Sequence, residues 1–158
     1  MTLLCHDQGD PVLVRRVLDD LPDWFGLPEA VDVYVAEAAG LPMISVRSGF
    51  DPIGFATLKA TLPGTVEISC MGLLRAHQGQ GAGRALMAAV AAWARDHGAR
   101  LLVVRTLGPS DPDPFYAGTR AFYTTCGFLP VAELPEVWGP ENPCLIMAVP
   151  LDPPTTPH

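Results

Sequence analysis

The chain has 158 residues, 49% of them hydrophobic and 17% charged, with a formal net charge of −7 and a pI near 4.8. That composition fits one compact globular domain and excludes a disordered chain; with no basic patch visible, nucleic acid is not an expected partner. No apolar run approaches the roughly eighteen residues that cross a bilayer, so no membrane partner is expected either.

The first ten residues, MTLLCHDQGD, lack the basic start and apolar core of a signal peptide, so export is not expected. Asp10 to Leu21 places apolar residues at 13, 14, 17, 18 and 21, the stripe of an amphipathic helix with Pro11 in its first turn. Pro28 to Ala39 opens on Pro and Glu and stops before Gly40, which predicts a second helix. Between them, Trp24 and Phe25 sit in a turn. Met43 to Arg47, Pro52 to Ala60 and Thr65 to Leu73 read as a meander of three strands.

A helix is predicted from Arg84 to His97, with Leu86, Val90 and Trp93 on one face and Gly98 at its end. Arg100 to Leu107 reads as a strand, and Pro109 to Pro114 as a rigid polar linker before another helix. Short strands are expected around Val131 to Glu133 and Cys144 to Val149, and a proline-rich disordered tail from Asp152 to His158. Cys5, Cys70, Cys126 and Cys144 form no C-x-x-C pair, and the four histidines show no H-x-x-x-H spacing; no metal site is expected. Cys70 and Cys126 read as buried free thiols, which suits a reducing, cytoplasmic compartment.

The stretch Gln78-Gly79-Gln80-Gly81-Ala82-Gly83 joins a predicted strand to a predicted helix. The first N–H groups of a helix are unpaired and point one way, along the positive end of its dipole. Glycines let a ligand approach that backbone, so the expected guest is an anion such as a pyrophosphate. A dinucleotide fingerprint begun at Gly79 would need glycine where Arg84 stands. A P-loop would need a following lysine, and Lys59 is the only lysine in the chain.

What remains, [QR]-x-x-G-x-[GA] over Gln78 to Gly83, resembles the acetyl-CoA pyrophosphate loop of the GNAT N-acetyltransferase superfamily. Downstream, Thr119 to Phe128 (TRAFYTTCGF) is similar to a later motif of that superfamily, a helix ending in Y-x-x-x-G-F. Gly127 fits the left-handed residue that follows such a helix. The resemblance spans about residues 43 to 150. It implies an α/β (α+β) fold, a mixed and mainly antiparallel sheet flanked by helices, in a single domain over residues 1–151. The superfamily's opening strand is short or absent here, since only Leu3-Leu4-Cys5 offers one.

The resemblance also implies acetyl-CoA as cosubstrate, an amine as acceptor and direct transfer within a ternary complex. The cofactor would rest on Gln78, Gly79, Gln80, Gly81, Ala82, Gly83 and Arg84, with main-chain groups near Leu73 pairing with the pantetheine arm as it runs between the strands ending at Leu73 and Leu107. Arg84 reads equally as a phosphate ligand or a solvated first-turn residue, and Gln78 as a structural part of the loop. Tyr123 stands where the superfamily's tyrosine protonates the leaving thiolate, which a phenol still protonated at neutral pH is able to do. Many members carry an asparagine seven residues earlier to contact CoA; here that position is Tyr116.

An alkylamine of pKa about 10.4 costs roughly 4.6 kcal/mol to deprotonate at pH 7, so the acceptor needs a base or a water chain. Glu67, the only acid in the Thr65 to Leu73 strand, has the spacing of a superfamily general base, the plain alternative being an exposed strand glutamate. Trp24, Phe25, Trp138 and Glu141 lie in segments that border the acceptor side in similar proteins, although loop packing explains them as well. The acceptor the resemblance implies is a small-molecule or peptide amine, and a homodimer is left open. The rival class is a non-catalytic acyl-CoA-binding sensor or interaction module, against which the presence of both Tyr123 and Glu67 argues.

Overall fold

The computed structural model describes residues 1–139 and 141–153. Among them, seven strands form a mostly antiparallel sheet in the order β1-β2-β3-β4-β5-β7-β6, with four α-helices. This mixed architecture is the one expected. The chain groups into two compact units, Met1–Lys59 with Ile68–Trp93, and Ala60–Glu67 with the chain from Ala94 onward.

In the first unit, β1 (Thr2–His6) pairs antiparallel with β2 (Met43–Ser48) from Thr2 opposite Arg47 to His6 opposite Met43. The opening strand is therefore short but present. It escapes a periodicity reading because four of its five residues are exposed, so no alternation marks a buried face. α1 (Pro11–Asp19) starts where the Asp10 carboxylate accepts from the N–H groups of Val12 and Leu13. Its buried stripe of Leu13, Val14, Val17 and Leu18 packs with Met43, Phe55 and Cys70. α2 (Pro28–Ala38) contributes Val31 and Ala38 to the same core.

β3 (Asp51–Leu62) runs longer than predicted at both ends, and β4 (Thr65–Leu73) has the predicted bounds. Along β4 each second residue is buried, with Val66, Ile68, Cys70 and Gly72 on one face. α3 spans Ala82–Asp96, beginning two residues before the predicted Arg84. A glycine is tolerated in a first helical turn, so Gly83 did not delay it.

In the second unit, β5 (Leu101–Leu107) pairs antiparallel with β7 (Cys144–Pro150), Leu107 opposite Cys144. β6 (Leu129–Leu134) forms the other sheet edge on β7, with a register shift after Pro130, where an edge strand accommodates proline. The Gly64 carbonyl accepts from the N–H groups of Arg100 and Leu101, fixing the start of β5. α4 (Pro114–Thr125) is capped by the Asp113 carboxylate on the Phe115 N–H, so Pro114 is the first residue of this helix rather than the last of the linker. Asp152 and Pro153 carry no regular structure; the remainder of the predicted tail, 154–158, lies outside the described residues.

Candidate active site

The glycine loop is built from the end of β4. After Leu73, a 3₁₀ turn over Arg75–His77 leads into Gly79 at φ +76° and Gly81 at φ +87°, values that L side chains rarely adopt. A Cβ on either glycine would meet no atom within 4 Å. Glycine is thus required by the backbone, and the face it leaves is open to a ligand. The Gly81 carbonyl accepts from the Ala85 N–H at 3.1 Å, which makes Gly81 the capping residue of α3. The N–H groups of Ala82, Gly83 and Arg84 then occupy the first turn, where no intrahelical acceptor exists. This cradle fits a pyrophosphate on two counts, its positive dipole end and its uncrowded backbone.

The glutamines of the loop are exposed but bond back to main-chain carbonyls. The Gln78 side-chain amide donates to the Leu73 carbonyl at 3.0 Å, and that of Gln80 to the Ala76 carbonyl at 3.5 Å. Gln78 therefore braces the loop and engages a carbonyl at the end of β4. Ala82 is buried against Val46 and Ile53, while Arg84 is exposed.

Tyr123 is held by the way α4 ends. The Phe128 N–H donates to the Tyr123 carbonyl and the Gly127 N–H to that of Thr124, both at 3.0 Å. With Gly127 at φ +93°, this is a Schellman turn, and Phe128 packs back on Tyr123 at 5.5 Å between ring centroids. Tyr123 is 9% exposed. One turn before it, the Arg120 guanidinium donates to the Leu107 carbonyl at 2.6 Å. Tyr116 lies in the first turn of the same helix and is half-buried.

Glu67 is not the exposed strand glutamate of the plain alternative. Its side chain is only 15% exposed, and its Oε1 lies 3.2 Å from Nε of Arg105 on β5. Arg105 had no signal in the sequence, because strand pairing across 38 positions leaves no local pattern. Cys144 is buried nearby; burial pushes its thiol up, the Arg105 charge opposes this, and the Glu67 charge adds to it. Burial likewise raises the Cys70 thiol far above its usual range. Cys126 is half-buried rather than buried. Among the described residues, no group of three or more His, Cys, Asp or Glu side chains is placed to hold a metal ion, and no helix is long and apolar enough to cross a membrane.

The four residues expected to border the acceptor divide between two settings. Trp24 and Phe25 are half-buried and pack on the α1–α2 core, Phe25 edge-on to Tyr34 at 6.1 Å. Trp138 is 41% exposed. Glu141 lines a cleft of about 650 Å³ together with Ser110, Asp111, Glu133 and Pro143. Asp111 and Glu133 were not singled out in the sequence, where they lie apart in proline-rich stretches. One Glu133 oxygen accepts from the Ser110 N–H at 3.3 Å, tying β6 to the segment before α4. Pro140 of the same loop lies outside the described residues.

Comparison with known proteins bears on the family and the fold. The family model described as Acetyltransferase (GNAT) family matches residues 13–128. A solved chain from Desulfovibrio desulfuricans, assigned to the GNAT family, is 27% identical over 96% of this chain and 100% of its own, with a TM-score of 0.80. yncA from Salmonella typhimurium, solved with acetyl-CoA, is 20% identical over 100% and 99% of the two chains, with a TM-score of 0.66. An aminoglycoside 6'-N-acetyltransferase solved with coenzyme A is 17% identical over 99% and 100%, with a TM-score of 0.73. The last two likenesses speak to fold alone. With the family model covering more than two thirds of its length, the chain belongs to the GNAT acetyltransferase family.

Proposed function

We propose that the protein is an acetyl-CoA-dependent N-acetyltransferase that moves an acetyl group directly to a primary amine of a small molecule or peptide. The observation that carries this reading is the cradle of Gly79, Gly81 and the first turn of α3. Acetyl-CoA supplies the activated thioester. The backbone N–H groups from Ala82 to Arg84 bind its pyrophosphate, and Gln78 holds the loop in the shape that presents them. The homologue solved with acetyl-CoA and the one solved with coenzyme A support this choice of cosubstrate.

In this reading Glu67 takes the proton from the acceptor ammonium, directly or through water, and Arg105 holds its carboxylate in one orientation. The amine nitrogen forms a bond to the acyl carbon as the carbon–sulfur bond breaks. Tyr123 hydrogen-bonds or protonates the departing sulfur and is reprotonated, through water, by the second proton that the nitrogen sheds on becoming an amide; no cysteine intermediate is formed. The carboxylates of Asp111, Glu133 and Glu141 favour a cationic acceptor, as does the net charge of −7. The similar fold of an aminoglycoside 6'-N-acetyltransferase supports an amine acceptor of this kind.

The non-catalytic sensor remains the second reading, favoured by one observation: the Glu67 carboxylate already has a cationic partner. Screening amines, aminoglycosides and peptides for acetyl-CoA-dependent thiol release separates the two. Turnover with any amine supports the enzyme; binding of acetyl-CoA with no turnover across the panel supports the sensor.

A further inference from the structure

Arg75 stands at the head of the glycine loop and makes three contacts with the turn between α1 and α2. Its guanidinium pairs with Asp23 at 2.6 Å, its N–H donates to Asp20 Oδ2 at 2.7 Å, and its Cζ lies 5.6 Å from the centre of the Trp24 ring. An exposed ion pair alone contributes little. Here the pair is joined by a backbone bond to a carboxylate and a cation–π contact, so one residue ties the glycine loop to this turn at three points. On its other side, the Arg75 carbonyl accepts from the Gln78 N–H at 3.2 Å, and Gln78 in turn braces Leu73. Trp24, Arg75, Gln78 and Gly79 thus form one continuous chain of contacts.

We infer that Arg75 is a positioning residue which couples the glycine loop to the turn carrying Trp24, so that filling the cradle shifts the Trp24 side chain. The inference rests on the acetyltransferase reading, in that acetyl-CoA is the ligand that fills the cradle. A ligand ordering Gly79 and Gly81 fixes Gln78, Gln78 fixes the Arg75 backbone, and the Arg75 fork carries that constraint to Asp23 and Trp24. By reciprocity, a molecule that binds against Trp24 changes the affinity of the loop for acetyl-CoA by the same factor. What supports it is a contiguous network of named bonds within one compact unit, and the two-state behaviour of that network is what the experiment reads.

The test uses the full chain carrying nitrogen-labelled tryptophan, with the Trp24 indole signal identified as the one lost in Trp24→Phe. Acetyl-CoA is titrated into the native protein, Arg75→Gln and Arg75→Lys, and binding is followed in parallel by calorimetry. The expected result is a saturable movement of the Trp24 signal in the native protein. Arg75→Gln loses most of that movement while its acetyl-CoA affinity changes less than about fivefold, the low end of ordinary coupling. Arg75→Lys keeps the charge without the planar fork and restores part of it. Should Arg75→Gln fail to fold, Asp23→Asn removes the ion pair, leaves the Asp20 bond in place and gives the same readout. An equal movement in the variant, or a still Trp24 signal in native protein that binds acetyl-CoA, overturns the coupling. Absence of calorimetric binding to the native protein overturns the acetyltransferase reading itself, and the coupling with it.

Discussion

The Tyr123 and Phe128 rings pack at 5.5 Å between centroids, across the turn in which the Phe128 N–H closes on the Tyr123 carbonyl. The motif that marks the helix end therefore also fixes the proposed acid. If the phenol serves the leaving sulfur, its hydrogen bond exists mainly in the transition state. Tyr123→Phe keeps the ring and its packing, so acetyl-CoA binding and melting temperature should hold while turnover falls about 10²-fold or more. Lost stability with activity kept would assign Tyr123 to packing.

Gly127 makes that turn possible at φ +93°. A Cβ there would meet only Val149 Cγ2, at an ordinary 3.5 Å, so the cost of Gly127→Ala is conformational. It should be about 1–2 kcal/mol, a fall of roughly 2–8 °C in melting temperature. Gly127→Asn should lose less, because asparagine tolerates the left-handed region. Calorimetric melting of both variants checks the order.

Glu67→Gln should depress turnover most at low pH, where the acceptor amine is most fully protonated, and leave acetyl-CoA affinity nearly unchanged. Because the Glu67 side chain is 15% exposed and paired with Arg105, the substitution also removes a partly desolvated partner and should lower stability more than loss of a surface pair would. A pH–rate profile parallel to that of the native protein at every pH would remove Glu67 from the chemistry.

Glu141 lines the acidic cleft but is itself exposed. Glu141→Gln should raise KM for a dicationic or polycationic amine about threefold to fivefold, the scale of one exposed ion pair, and the effect should shrink in high salt. KM for a monocationic amine measured beside it should change less.

Legibility in the sequence followed locality. β4 and the start of α2 were readable, and its end to within one residue, because alternation, proline and glycine act within a few residues. The glycine loop and the end of α4 were readable because left-handed glycines leave a sequence mark. β1 was not, since an exposed edge strand buries no face. The Glu67–Arg105 pair, the Arg75 contacts with Asp20, Asp23 and Trp24, and the meeting of Asp111, Glu133 and Glu141 all depend on chain segments distant in sequence. Trp24 and Phe25 were visible as aromatics in a turn, but their packing on the α1–α2 core was not.

The central claim is that the Gly79 to Arg84 cradle holds acetyl-CoA, and thermal melting with and without that ligand tests it most directly. At a hundredfold excess over Kd, binding to the folded state should add about 2.7 kcal/mol and raise the melting temperature by roughly 5–10 °C. Gly83→Val crowds the first turn of α3 without a left-handed backbone to strain, and should abolish the shift while the protein still melts cooperatively. No shift in the native protein at millimolar acetyl-CoA, with no heat of binding by calorimetry, would contradict the account.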